Sequence, residues 1–246
     1  MNTRNDVYQL LGSRLNMLSA KSGYRASIDP VLLAASVPVR TGQRVLDVGC
    51  GTGAAALCLV TRMPGLHAMG IDYQLPLIIL ANKIASLNGL VSRTQFIFCD
   101  LLGPITYPQP HSFDHVMANP PHLKFGSGNV SPDPLKVAAN VEGRAKLKDW
   151  VLFCFKSVVN GGTVTFVHRY DRKDELISLV KNYGLVTILP LWPKILGIGA
   201  KRVLVQVIKG ASADIHEKAG IVLHTEKNVY TQEVHEILRE AKVLKI

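Results

Sequence analysis

Apolar positions along the chain fall into short branched runs that alternate with longer stretches of helical spacing. Val45, Leu46 and Val48 form one run, short and apolar on both faces, as expected of a covered strand. Residues 54–60, Ala-Ala-Ala-Leu-Cys-Leu-Val, follow as a strong helix former with an apolar face. The alternation then repeats, with strands over 66–72, 95–100, 113–118 and 163–168 and helices over 75–87, 146–158 and 174–181. Asn88-Gly89 stops one helix, and Asn160-Gly161-Gly162 turns the chain into a strand. Two further strands, 185–189 and 202–208, are joined by a segment too short for a full helix, so they should form an antiparallel hairpin at the sheet edge. The pattern predicts an α/β fold: a seven-stranded, mostly parallel sheet with an antiparallel last hairpin and helices on both faces.

Residues 1–43 precede this core. They predict a strand over 14–18, a turn over 21–24, and a helix over 31–37 that Pro38 stops. Asp29 is the expected N-cap and Pro30 the first helical residue. A second reading makes Tyr24, Arg25 and Asp29 a flap over a ligand pocket. Residues 211–246 add a strand over 221–224 and a helix over about 231–241. The division is therefore an N-terminal strand/helix flap (1–43), a ligand-binding core (44–210) and a C-terminal strand-helix appendage (211–246), within one folded domain. Residues 123–142, with Gly126, Gly128, Pro132 and Pro134, have the composition of a lid or substrate loop.

Composition narrows the class. Hydrophobic residues make up 48% of the 246 positions and charged ones 19%, which argues for a folded globule and against disorder. A formal net charge of +10 suits a polyanionic partner. Cys50, Cys58, Cys99 and Cys154 fall at no metal-ligand spacing and read as free thiols of a reducing compartment. No metal is expected. The first ten residues lack an apolar signal segment, and no uncharged apolar run reaches the ~18 residues of a spanning helix. A cytoplasmic protein that does not enter the membrane is the expectation.

Candidate chemistry concentrates in two turns. In the first, Val45-Leu46-Asp47-Val48-Gly49-Cys50-Gly51-Thr52-Gly53, a strand runs into a glycine turn that opens a helix. Gly49, Gly51 and Ala54 also satisfy the relaxed dinucleotide fingerprint, so the glycines alone leave two ligands open. Asp47 separates them. A carboxylate just before the glycines repels a pyrophosphate at the helix N-terminus, but it favours the ammonium and sulfonium of S-adenosylmethionine. Asp72 closes the next strand 25 positions later, where a carboxylate can accept both ribose hydroxyls, and Tyr73 beside it can pack on adenine. Asp100 and Leu101, after the third strand, are candidates for the adenine amino group and ring face. The binding set is thus Asp47, Val48, Gly49, Cys50, Gly51, Gly53, Asp72, Tyr73, Asp100 and Leu101.

The second turn is Asn119-Pro120-Pro121-His122 at the end of the 113–118 strand. An exocyclic amine is a poor nucleophile because its lone pair is delocalised into the ring. Two acceptors on its two N–H bonds return that lone pair to nitrogen. The Asn119 side-chain oxygen can be one and the Pro120 carbonyl the other, with Pro121 stiffening the corner. His122 is placed to lie against the face of a flipped base.

The two turns together resemble the class I methyltransferases of Rossmann-like fold that carry an Asn-Pro-Pro-aromatic motif. With residues 23–34 and Ala200-Lys201-Arg202-Val203, the chain resembles the bacterial tRNA1(Val) adenosine-37 N6-methyltransferase family over residues 8 to about 240. The resemblance implies methyl transfer from S-adenosylmethionine to N6 of adenosine in tRNA, with S-adenosylhomocysteine as product. His122 departs from the family pattern, which has Tyr or Phe there. Related enzymes methylate a glutamine side-chain amide of release factors or guanine N2 of ribosomal RNA, and these remain alternatives. A non-catalytic RNA-binding protein with a retained fold is disfavoured by the intact Asp47, Asp72 and Asn119. A nicotinamide oxidoreductase is disfavoured by Asp47. Candidate RNA contacts are Arg144, Lys146, Lys148, Arg169, Arg172, Lys173, Lys194, Lys201 and Arg202.

Overall fold

The structure, a computed structural model, describes residues 6–20, 25–104, 108–123 and 142–246. Tyr24 and most of the expected substrate loop lie outside the described residues.

Strand β3 (Arg44–Val48) lies in the interior of the sheet, with apolar Val45 on one face and Leu46 and Val48 on the other. Val45 packs into one core cluster, while Leu46 and Val48 pack into the other, as the two-residue period of a strand requires. Helix α2 (Ala54–Arg62), β4 (His67–Asp72), α3 (Leu75–Leu87) and β5 (Thr94–Phe98) carry the parallel sheet to one edge. The chain then crosses to the other side of β3. There β6 (Phe113–Ala118), α4 (Leu147–Ser157) and β7 (Val158–Arg169) continue the parallel pairing. Progression away from β3 thus reverses between β4 and β6, and the carboxyl ends of β3 and β6 flank a crevice of the kind that holds ligands in open α/β sheets.

Helix α5 (Lys173–Val180) leads to β8 (Gly184–Trp192), which pairs antiparallel with β9 (Arg202–Lys209) as expected. The hairpin does not simply extend the edge. β9 inserts between β7 and β8, antiparallel to both. Two short strands, β10 (Ile215–Glu217) and β11 (Ile221–Val222), then pair with β8, so the sheet has nine strands instead of the expected seven. The core remains a mixed sheet with helices on both faces.

Three local expectations are corrected. Asn160-Gly161-Gly162 does not separate helix from strand. It forms a bulge inside β7, where Phe113 pairs with Val158 and His115 already with Thr163. A Cβ on Gly162 would lie 2.4 Å from the Asp114 carbonyl oxygen, so only glycine lets the backbones approach. Pro190, Leu191 and Trp192 continue β8 instead of leaving it. Asp29 is the first residue of α1 (Asp29–Ser36) and its side chain caps nothing, because it is bonded elsewhere.

An N-terminal hairpin, β1 (Val7–Leu10) with β2 (Leu15–Leu18), and helix α6 (Gln232–Glu240) cover the outer side of α1 and α2. Thr231 caps α6 through its hydroxyl, accepting from the Val234 N–H. All four cysteines are free thiols, and only Cys99 is not buried. No helix among the described residues is long and apolar enough to cross a membrane.

Candidate functional site

The residue after Val48 must turn sharply, and Gly49, Gly51 and Gly53 all adopt left-handed φ, at 69°, 54° and 78°. Their surroundings differ. A Cβ on Gly49 would lie 2.2 Å from the Trp150 ring, and one on Gly53 would lie 2.7 Å from the Phe96 ring. A Cβ on Gly51 would meet nothing within 4 Å, because Gly51 faces a cavity of about 400 Å³. The first and third glycines are therefore fixed by packing. The second is fixed by conformation and leaves its space to a ligand.

Asp47, Gly49, Cys50, Gly51, Asp72, Tyr73, Asp100 and Leu101 all line that cavity, as do Asn119 and Pro121 from the second turn. The register Val48↔Ala118 explains the meeting, since it places Gly49 and Asn119 at adjacent strand ends. Val48, Gly53, Pro120, His122, Arg25 and Asp29 do not line it. Several wall residues escaped the sequence reading, notably Pro30, Thr52, Gln74 and Trp150. Trp150 sits on the apolar face of α4 and looks in sequence like any core aromatic.

The acids are set by backbone amides. Asp47 Oδ2 accepts the Ala56 N–H at 3.1 Å, standing in for the missing side-chain cap of α2. Burial without a cation drives the Asp47 carboxyl up to about 7; the Ala56 N–H opposes this and the Asp72 charge adds to it. Asp72 accepts the Gly51 N–H at 2.9 Å through Oδ2 and the Gln74 N–H at 2.8 Å through Oδ1. Burial raises its carboxyl too, against those same amide bonds. Each Asp72 oxygen keeps a lone pair for another donor. Asp100 accepts from the Leu102 N–H at 3.0 Å and stands 3.5 Å from Arg144. The result is a cavity with two buried carboxyls at its inner wall and, among the described residues, no cation beside either.

Asn119 follows β6 in the same wall, and its Oδ1 is shielded and accepts no hydrogen bond from any described residue. Leaving such an acceptor unpaired costs about 1–3 kcal/mol. His122 is only 8% exposed. Its Nε2 lies 3.6 Å from Asp29 Oδ2 and its Nδ1 lies 3.4 Å from His168 Nδ1. The ring is therefore turned into the protein, not laid along the cavity as the sequence suggested. Arg202 Nε donates to Asp29 Oδ2 at 2.8 Å. Burial alone would push the Asp29 carboxyl up, but His122 and Arg202 outweigh it and hold it below its ordinary value.

The basic residues expected at an RNA surface divide. Arg172 is buried between Glu142 at 2.6 Å and Glu175 at 2.8 Å, Arg202 is bound to Asp29, Arg169 to Asp171 and Lys173 to Glu217. Lys148, Lys194 and Lys201 are exposed, with no carboxylate partner among the described residues.

Comparison with known proteins gives four findings. A family model described as a methyltransferase domain matches residues 40–242. The chain is 26% identical over 213 residues to the tRNA1(Val) (adenine(37)-N6)-methyltransferase of Aeromonas hydrophila, covering 84% of this chain and 85% of that protein. It is 28% identical over 153 residues to the release factor glutamine methyltransferase of Aliivibrio fischeri, covering 59% of this chain; here the chain spans about half of its relative, 52%. In fold it is similar to the crystal structure of a predicted O-methyltransferase from Agrobacterium tumefaciens, with a TM-score of 0.72 and 21% identity, covering 89% of this chain and 99% of that one.

Proposed function

The chain belongs to the methyltransferase domain family, and from that premise we propose that it transfers a methyl group from S-adenosylmethionine to an exocyclic amine, with N6 of adenosine in tRNA as the acceptor. The observation that carries the reading is the placement of Asn119, its Oδ1 unpaired, in the same wall as the glycine turn and the two buried acids. The donor set fits the methyl donor. Gly51 leaves open a cradle that a Cβ would fill, and Asp47 and Asp72 put two buried carboxyls, with no cation beside them among the described residues, where a cationic amino acid portion and a ribose find acceptors. Tyr73, Leu77 and Leu101 supply apolar wall for a purine, beside Asp100. Bound there, S-adenosylmethionine supplies a methyl carbon activated by positive sulfur and leaves as S-adenosylhomocysteine.

The acceptor amine needs two hydrogen-bond acceptors and no base strong enough to deprotonate it. Asn119 offers an uncharged amide oxygen that keeps its protonation state throughout. In this reading the second acceptor is the backbone carbonyl of Pro120, which does not itself line the cavity but stands between Asn119 and Pro121, which do, and is held by two fixed φ angles. Preorganised acceptors of this kind cost no rearrangement when charge develops on nitrogen. The net charge of +10 supports an RNA acceptor, as does the longer alignment with the tRNA enzyme. The release factor relative supports a second reading, transfer to a glutamine side-chain amide, whose planar NH2 the same corner suits.

The test uses methyl-labelled S-adenosylmethionine, unmodified total tRNA, and wild type beside Asn119→Ala, with nucleosides analysed after digestion. Label in N6-methyladenosine, lost in the variant, is the expected result. Label absent from tRNA but present in a release factor would move the assignment to the amide. Absence of S-adenosylmethionine binding would refute methyl transfer itself.

A further inference from the structure

Behind the Asn-Pro-Pro corner lies a polar cluster that amine activation does not use. It gathers Asp29 from the start of α1, His122, His168 from β7 and Arg202 from the start of β9. Asp29 and His122 are each 8% exposed and His168 is completely buried. The atoms form a line: Arg202 Nε to Asp29 Oδ2 at 2.8 Å, Asp29 Oδ2 to His122 Nε2 at 3.6 Å, and His122 Nδ1 to His168 Nδ1 at 3.4 Å.

The proton inventory follows from the far end. His168 Nε2 is shielded and has no partner among the described residues. A buried N–H without an acceptor is rarer and costlier than a bare lone pair, so His168 carries its proton on Nδ1, towards His122. Burial, with His122 and Arg172 nearby, pushes its imidazole down to about 3, so it stays neutral. His122 then accepts at Nδ1 and directs its own Nε2–H at Asp29. Both ring nitrogens face fixed partners, which sets the plane of the ring. Between that ring and Asn119 lie only two prolines, whose locked φ angles transmit its position to the Asn119 backbone.

We propose that Asp29, His168 and Arg202 are positioning residues that act through His122 to set the Asn119 corner, so that His122 is a strut and not the stacking surface for the acceptor base. This rests on the corner being the acceptor site. It also gives the N-terminal segment a task distinct from a flap, because Asp29 braces the corner from behind.

Two substitutions test it, one read by kinetics and one by the tautomer of the His122 ring. His122→Phe keeps a flat ring and loses both nitrogens. A strut lost in this way lowers kcat by about 100-fold, the scale of a ~1 Å misplacement, while KM for RNA and affinity for S-adenosylhomocysteine stay within about twofold. A stacking residue behaves oppositely, since phenylalanine stacks better; kcat at or above wild type with a lower KM would overturn the proposal. Asp29→Asn is read on the free protein through the ring-nitrogen resonances of His122, assigned as the signals missing from His122→Phe. In wild type they are expected to show a single tautomer, with the proton on Nε2 towards Asp29 and a bare Nδ1 towards His168. Asparagine keeps the shape but is uncharged and can turn its NH2 to the ring, so the variant is expected to show a mixture of tautomers, with kcat lowered as in His122→Phe. An unchanged tautomer in the variant would refute the network. That readout needs no acceptor, so it judges the network even if wild type fails to methylate adenosine.

Discussion

Asp47→Asn should make the free protein more stable at alkaline pH and unable to hold its methyl donor. Asp47 is 3% exposed and faces no cation among the described residues, and burial drives its carboxyl to about 7, against an ordinary value of 3.8. Below about pH 4 native and unfolded chains both hold the proton, and the stability this group contributes is fully present. As pH rises the unfolded chain releases the proton first, and that contribution is lost until the native carboxyl titrates near 7. Each unit of the gap is worth about 1.4 kcal/mol, so the three-unit interval amounts to roughly 4 kcal/mol by pH 8, in order of magnitude. Asparagine keeps an oxygen for the Ala56 N–H and never ionises. For a domain of this size the gain corresponds to a Tm higher by roughly 8–16 °C at pH 8.5, shrinking towards zero at pH 4. Thermal and urea unfolding of both proteins at the two pH values measures it, and calorimetry reads S-adenosylhomocysteine binding. A Tm difference that is the same at both pH values would refute the reasoning, because it would trace the effect to packing and not to charge.

Two other expectations separate the roles of neighbouring groups. Gly49→Ala combines a left-handed φ with a clash on Trp150 and should cost about 2–5 kcal/mol in urea unfolding. Gly51→Ala meets open space, so it should cost only about 1–2 kcal/mol of stability while weakening cofactor binding by more, as calorimetry would show. Neutralising Lys194 and Lys201 together should weaken tRNA binding and reduce the slope of log K against log salt by about 1.4, the value for two contacts to single-stranded phosphates. An unchanged slope in filter binding would remove both residues from the RNA surface.

Local chemistry was legible where the signal was short-range. Helix α3 and strand β6 begin and end where the apolar pattern places them, and the glycine turn between β3 and α2 announces itself. The insertion of β9 was not legible, because periodicity describes the face of a strand and not its neighbour. Strand β1, four residues with an alternation of exposed and half-buried positions, carries too weak a pattern to stand out. Asp29 looked like a helix cap because Asp-Pro is a good helix start. Its real partner, Arg202, lies 173 positions away. His122 was misplaced for the same reason: an aromatic after Asn-Pro-Pro suggests a stacking ring, and only the tertiary fold shows Asp29 and His168 on its two nitrogens. Both turns that line the cavity stand out in the sequence, but its Trp150 wall is indistinguishable there from core.

The insertion of β9 also orders events during synthesis. Until residues 202–209 leave the ribosome, β7 presents an open edge with Val164 and Phe166 on it, and β8 has no partner through which to join the sheet. Arg202, at the first position of β9, arrives at the same moment. The crevice between β3 and β6 can therefore form on the nascent chain before the brace on Asp29 exists. Closure of the sheet and completion of the proposed acceptor corner become one late step, so a chain interrupted before residue 202 would retain the glycine turn without the Arg202 end of the brace behind Asn119.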